Sequence, residues 1–423
     1  MVTKKRWCNN HLFLKGVFNL GKNQINKFGS EIEKTLIEIR GSIHRNPELG
    51  CEISKTRDLV CEYLKKWSIK YELIENQGIV AEISGKKDMD DEKIILLRAD
   101  MDALCINEKT EIECKSIIEN RMHACGHDAH TAGMLGAGYI LKKLENNFSG
   151  RVRLVFQPCE EDASGLNAQK LVDKGILLKD MNDSKSSNVD AAIAAHVFTK
   201  LKSGKIGINI GETTGVPGGF SIKIIGKQGH SSEPSKCIDP IMILNQIYSA
   251  IQCIQRSYVD PDRASVISVT YMNAGDLNRW NIIPKEAEIK GNIRTQYEFD
   301  NKKIGAVIES IVKNICGIYG ADYEYDYRMY IESVKNDEYI SKIVSDAVSE
   351  LDEEIAFKPP LFMGGDDFCK ISELVPSCYF FVGIGKGDND YPIHSDRFEL
   401  DEKSVLLISK VMSLSVLKLL EKK

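Results

Sequence analysis

No C-x-x-C pair occurs among the 12 cysteines scattered over 423 residues. A chain this long needs no disulfide staples, so the scatter argues for reduced thiols and a cytoplasmic address. Nor does any stretch approach the roughly 18 consecutive apolar residues of a membrane span. The basic N-terminal stretch is broken by Asn9, Asn10, His11 and Lys15, unlike the continuous apolar core of a signal peptide. Long blocks of like charge are also missing. The 56 Lys and Arg against 61 Asp and Glu give a net charge of -5, which speaks against nucleic acid or an anionic membrane as partner and leaves a small molecule as the expected one. There is no internal repeat and no low-complexity segment.

What is present is enough apolar residue, 43% of the chain, to fill more than one core, because single cores stop growing at roughly 250–300 residues. Apolar positions Ile32, Leu36, Ile39 and Ile43 recur at helical spacing until Asn46-Pro47 ends the pattern, and a second helix is expected over Ser54–Lys66. Three short apolar runs, 94–99, 152–157 and 191–197, are separated by helix-length stretches and read as buried parallel strands of an α/β domain. After Gly211 the pattern becomes strand-like alternation at 220–225, 266–271 and 287–295, with helices expected at 241–254 and 304–318. That composition predicts an inserted α+β domain over 212–325. The first domain, 1–211, then resumes over 326–423 with an apolar strand at 379–385 and a closing helix at 402–420.

The chemistry concentrates in Met122-His123-Ala124-Cys125-Gly126-His127-Asp128-Ala129-His130, where three of only eight histidines fall within nine residues. Imidazole, thiolate and carboxylate together suit Zn²⁺ or a similar first-row ion, and Gly126 lets the backbone turn so that Cys125 and His127 face one site. Two further acid pairs sit where apolar runs end: Asp100 with Asp102, and Glu160 with Glu161. Such strand ends are where open α/β sheets build their sites. In the Glu160–Glu161 pair one carboxylate can ligate metal while its neighbour handles protons, a division that would suit amide hydrolysis by activated water. His196 ends the third run and His394 lies in the loop after the last strand. Each alone is an ordinary histidine, but strand ends of one sheet converge.

With these segments, and with Arg40–Glu52, Gly226–Pro234, Asn281–Pro284, Gly291–Thr295 and Gly364–Phe368, the chain resembles the M20 metallopeptidase superfamily from about Ile37 to Leu414. Within it the likeness is to the amidohydrolase branch of hippurate hydrolases, auxin-conjugate hydrolases, aminobenzoyl-glutamate hydrolases and N-acetyl-diaminopimelate deacetylases. The resemblance implies a zinc-peptidase-like catalytic domain with a mostly parallel central sheet, an inserted lid and dimerisation domain, and a homodimer formed through that lid. It implies two divalent ions, Zn²⁺ or Mn²⁺ with Co²⁺ and Ni²⁺ as alternatives, held by Cys125, His127, Glu161, His196 and His394. Glu160 is then the general base and Asp102 a carboxylate that orients a ligand, while His230 stabilises the oxyanion and Asn281 and Arg294 hold the substrate carboxylate. The implied substrate is an N-acyl amino acid; a dipeptidase, a carboxypeptidase and an inactive small-molecule-binding homologue are the alternatives. The chain departs from the family pattern at Cys105, at Leu166-Asn167-Ala168 and at Asp366, which is expected to cap the helix that follows it.

Overall fold

The computed structural model describes the chain except for residues 1, 76–77, 88–92, 163–166, 352–353, 358, 388–389 and 422–423; for 2–20 and 354–357 it describes the backbone alone. Leu166 therefore lies outside the described residues. The chain divides into two compact units, Met1–Gly211 with Lys335–Pro360 and Lys370–Lys423, and Glu212–Val334 with Leu361–Cys369.

The first unit is built on an eight-stranded sheet in the order Lys70–Ile74, Gly78–Ser84, Arg151–Gln157, Ile94–Asp100, Ala191–Lys202, Ser377–Gly385, Lys205–Ile208 and Glu354–Phe357. Its four central strands run parallel, Ile94–Asp100 between Arg151–Gln157 and Ala191–Lys202, and Ser377–Gly385 beside the latter. Every residue of Ile94–Asp100 and of Ser377–Gly385 is buried, which is why these strands read as continuous apolar runs rather than alternating ones. The expected α/β class with a mostly parallel sheet is thus the observed one. One expectation needs correcting: the strand that carries His196 does not stop at Val197 but continues to Lys202 before turning into the antiparallel Lys205–Ile208.

Helices supply the rest of this core. Ile25, Ile32, Leu36, Ile39 and Ile43 form one buried stripe of the helix Val2–Arg45, spaced by threes, fours and seven so that all face inward. The helix Lys403–Glu421 is buried over almost its whole length from Ser404 to Leu420, and its Ser409 hydroxyl donates to Gly133 O of the helix His127–Lys143.

The second unit carries a four-stranded antiparallel sheet in the order Ser265–Ala274, Glu286–Thr295, Val216–Ile225, Asp322–Met329. Ile243, Ile247 and Ile251 of helix Pro240–Tyr258 and Ile304, Ile308 and Val312 of helix Glu298–Tyr319 share a core with Phe220, Ile222, Ile224, Ile289 and Ile293. The strand Asp322–Met329 was not anticipated, although it alternates Asp, Glu, Asp and Arg with Tyr323, Tyr325 and Tyr327 in period two. Because it pairs with Val216–Ile225, the chain up to Val334 groups with this unit rather than returning at 326.

Candidate metal centre

The four parallel strands deliver their following loops to one end of the sheet. Ile94–Asp100 leads into Asp102, Arg151–Gln157 into Glu160 and Glu161, and Ser377–Gly385 into the loop of His394, while His196 lies on Ala191–Lys202 opposite Phe381. The remaining donors come from the start of His127–Lys143. Gly126, immediately before this helix, has φ +90°, a left-handed conformation that favours glycine, and an added Cβ there would run into the Val197 side chain.

Among the resulting triads of potential ligand atoms, two share Cys125: Cys125 with His127 and His196, and Cys125 with Glu161 and His394. The Cys125 sulfur belongs to both, 3.4 Å from His196 Nε2 and 3.3 Å from His394 Nε2. His394 Nε2 also lies 3.3 Å from Glu161 Oε1, and His127 Nε2 lies 3.8 Å from Glu161 Oε1 and 4.0 Å from Glu160 Oε2.

The imidazoles are pre-set for this task. His127 Nδ1–H donates to the carbonyl of Asp102 at 2.8 Å, and His196 Nδ1–H to the carbonyl of Val197 at 2.7 Å. A carbonyl only accepts, so both rings carry a proton on Nδ1, which leaves Nε2 as the atom that faces the cluster. His127 Nε2 and Glu161 Oε1 are buried and form no hydrogen bond of good geometry among the described residues, although His394 Nε2 is within ion-pair range of the latter. Burial, and after it the Glu161 carboxylate, push the Cys125 thiol well above its usual range. Burial opposes charging of His127, and Asp100 and the Cys125 sulfur overcome it to raise the imidazole well above its usual value. Orphaned buried donor atoms, a soft sulfur and like-charged carboxylates form a set that a divalent cation suits, since it would displace the protons held there.

Asp102 acts on both carboxylates at once: its Oδ1 accepts the Glu160 N–H at 2.9 Å and its Oδ2 the Glu161 N–H at 3.0 Å. His130, although in the motif, is spoken for. Its Nδ1–H donates to Asp100 Oδ1 at 2.7 Å, and its Nε2 accepts the Val197 N–H at 2.9 Å. His123 does not join the cluster either, and burial pushes it down to about 3, leaving it neutral.

Sequence reasoning assigned no role to a second network just beneath. Asp128 Oδ2 accepts from Arg40 Nε at 2.7 Å and from His44 Nδ1 at 2.8 Å, and His44 Nε2 reaches Glu108 Oε1 at 3.3 Å. Burial opposes ionisation of Asp128, but Arg40 and His44 hold its carboxyl well below the usual range. The available signal was the i, i+4 spacing of Arg40 and His44, which puts both on one helix face.

In the second unit, Gly229–His230 pairs with Ile282–Ile283, with His230 opposite Ile282, and Ser231 N donates to Asn281 O at 3.1 Å. His230 and Asn281 are thus neighbours on one ribbon, both exposed. The His230 Nδ1 lies 2.7 Å from the Ser232 hydroxyl. Arg294 stands half-buried on Glu286–Thr295, where burial lowers its pKa, and no carboxylate pairs with it among the described residues. Asp366 accepts the Phe368 N–H at 2.8 Å in the turn that leads into Cys369–Ser372.

Residues 96–417 match the sequence profile of peptidase family M20/M25/M40. The chain belongs to that family. It is accordingly a hydrolase of amide bonds. This M20 chain is 37% identical to thermostable carboxypeptidase 2 of Saccharolobus solfataricus over 377 residues, 88% of this chain and 92% of the relative. It is 32% identical to N-acetylcysteine deacetylase of Bacillus subtilis over 382 residues, 89% of this chain and 94% of the relative. Among solved structures it is similar to a Bacillus subtilis dinuclear metal binding peptidase from M20 family, with a TM-score of 0.79, 29% identity, and coverage of 93% of this chain and 100% of that one.

Proposed function

We propose that this M20 chain is a metal-dependent amidohydrolase that splits N-acyl amino acids into a carboxylic acid and a free amino acid. The observation that carries this reading is the pair of triads sharing the Cys125 sulfur beside the Glu160 carboxyl. Cys125, His127, Glu161, His196 and His394 would hold two divalent ions, Zn²⁺ or Mn²⁺ with Co²⁺ and Ni²⁺ as alternatives, which supply a water of lowered pKa and polarise the amide carbonyl. Glu160 would accept a proton from the attacking water and return it to the leaving nitrogen. Asp102 keeps Glu160 and Glu161 aimed through their amides. His230 donates to the oxyanion, and Asn281 and Arg294 grip the amino acid's carboxylate. What supports Arg294 in that role is a half-buried cation without a carboxylate partner among the described residues.

The same site serves a carboxypeptidase, and the 37% identity to thermostable carboxypeptidase 2 favours that second reading. Both substrates end in a free carboxylate. A homodimer through the second unit is supported by its sheet-edge strand Ser265–Ala274, which exposes Val266, Tyr271 and Met272. The reading of a cytoplasmic address is supported by cysteines that, apart from one pair, are thiols rather than disulfides among the described residues.

The test is amine release from N-acyl amino acids and from peptides blocked at the N-terminus, using protein stripped of metal and refilled with Mn²⁺ or Zn²⁺. Metal-restored cleavage of acyl amino acids is expected, and cleavage of peptides alone would move the protein to the carboxypeptidase reading. Glu160→Gln should retain its metal while kcat drops by about 10²–10⁴. Near-full turnover in that variant would remove Glu160 from the mechanism.

A further inference from the structure

Against the expectation of free thiols throughout, Cys51 and Cys159 are joined by a disulfide across a sequence separation of 108. Spacing along the chain conceals this pair because the fold alone brings the two loops together. Cys159 immediately precedes Glu160 and Glu161. It is 4% exposed and has φ +64°, a left-handed backbone in which non-glycine residues are uncommon. Three contacts hold it there: the disulfide, its own N–H donating to Gly50 O at 3.2 Å, and Asn167 Nδ2 donating to its carbonyl at 2.6 Å.

The bridge closes a triangle of three chain segments around the acid pair. Ala103 N donates to Glu48 O at 2.8 Å, tying 102–103 to the 48–51 turn. Asp102 in turn holds the Glu160 and Glu161 amides. The covalent side of the triangle is Cys51–Cys159, of which Cys159 is buried and Cys51 half-buried, so the Cys51 side is the more open to a reductant.

We propose that Cys51–Cys159 is a thiol-controlled latch that positions the Glu160–Glu161 segment: closed, it fixes the left-handed turn that aims both carboxylates, and opened, it releases them. The proposal rests on the reading of Glu160 as base and Glu161 as metal ligand. Opening is a two-electron reduction. A dithiol thiolate attacks Cys51 sulfur, the S–S bond breaks, and Cys159 leaves as a thiolate that takes up a proton. The second thiol then resolves the mixed disulfide, so that the dithiol ends as a disulfide and both cysteines as thiols.

The experiment uses metal-loaded wild-type enzyme before and after treatment with a phosphine reductant, which is oxidised to the phosphine oxide with oxygen from water and does not compete for metal as a dithiol does. Cys51→Ser is run in parallel. Peptide mapping after alkylation reports the bridge, steady-state kinetics give kcat and KM on an acyl amino acid, and the rate of metal loss to a chelator is followed by mass spectrometry. Reduction should lower kcat about ten- to thirtyfold and speed metal loss by a similar factor, within the range seen when a residue supporting a metal ligand is lost. KM should stay within about twofold, since substrate contacts are untouched. Cys51→Ser should match reduced wild type and ignore the phosphine. The latch is overturned if mapping finds both thiols free even after treatment with oxidised glutathione, or if reduced wild type keeps the kcat and metal-loss rate of the oxidised form. Should the oxidised enzyme cleave no substrate, the functional reading fails by itself, and metal loss alone decides the latch: unchanged loss overturns it and faster loss on reduction supports it.

Discussion

Three donors of the first unit, Cys125, His127 and His196, and two substrate-binding candidates of the second, His230 and Asn281, are held in opposite ways. Cys125, His127 and His196 are buried, and both of these imidazoles have their second nitrogen fixed by a backbone carbonyl. His230 and Asn281 stand exposed on a two-stranded ribbon whose partners are local. A small cation tolerates little error in donor position, and the proposed site would draw its donors from strand ends and a helix start with Nδ1 of two rings already engaged. Groups that must admit and release a substrate gain from staying adjustable.

His127→Ala cuts most deeply into this contrast, because it removes an Nε2 that nothing nearby replaces. Its kcat should fall by more than the roughly 100-fold expected for loss of an orienting partner, and metal analysis should show less than full occupancy. A variant that keeps both its metal and its rate would show that the centre is assembled elsewhere. Asp102→Asn comes next. One of its two oxygens becomes an NH₂ facing an amide N–H of Glu160 or Glu161, and a loss of about 10–100-fold in metal affinity or activity is expected. A titration of metal-stripped protein with Zn²⁺ reads it directly. Smallest is Arg294→Lys, which keeps the charge but loses the two-pronged geometry. KM should rise by about tenfold, the equivalent of one charge-assisted hydrogen bond of roughly 1.5 kcal/mol, with kcat little changed. An unchanged KM would take Arg294 out of substrate binding and sharpen the case that the second unit recognises something other than the carboxylate.

How much of this was legible in the sequence follows from what kind of contact each feature is. The buried strands around 94–99 and 152–157 announce themselves because both faces of a parallel strand are covered and the run is continuously apolar. Gly126 was legible because few residues other than glycine suit its left-handed turn between two potential donors. The exclusion of His130 was not, since Asp100 and the Val197 amide reach it from 30 and 67 residues away. The same holds for Arg40 and His44 on Asp128, at separations of 88 and 84. The strand Asp322–Met329 carried a readable signal in its alternating tyrosines, but the expected domain boundary at 326 cut through it.

The order of the chain has a consequence for the newly made protein. The first unit's sheet takes Ser377–Gly385 beside the strand of His196, and its helical layer takes Lys403–Glu421, both from the far end of the sequence. The segment 212–334, by contrast, already contains all four strands and both helices of its own core. During synthesis it is therefore the inserted segment that can collapse while the ribosome is still working, and the candidate metal centre must wait, the strand of His196 unpaired on one side, until Ser377–Gly385 emerges.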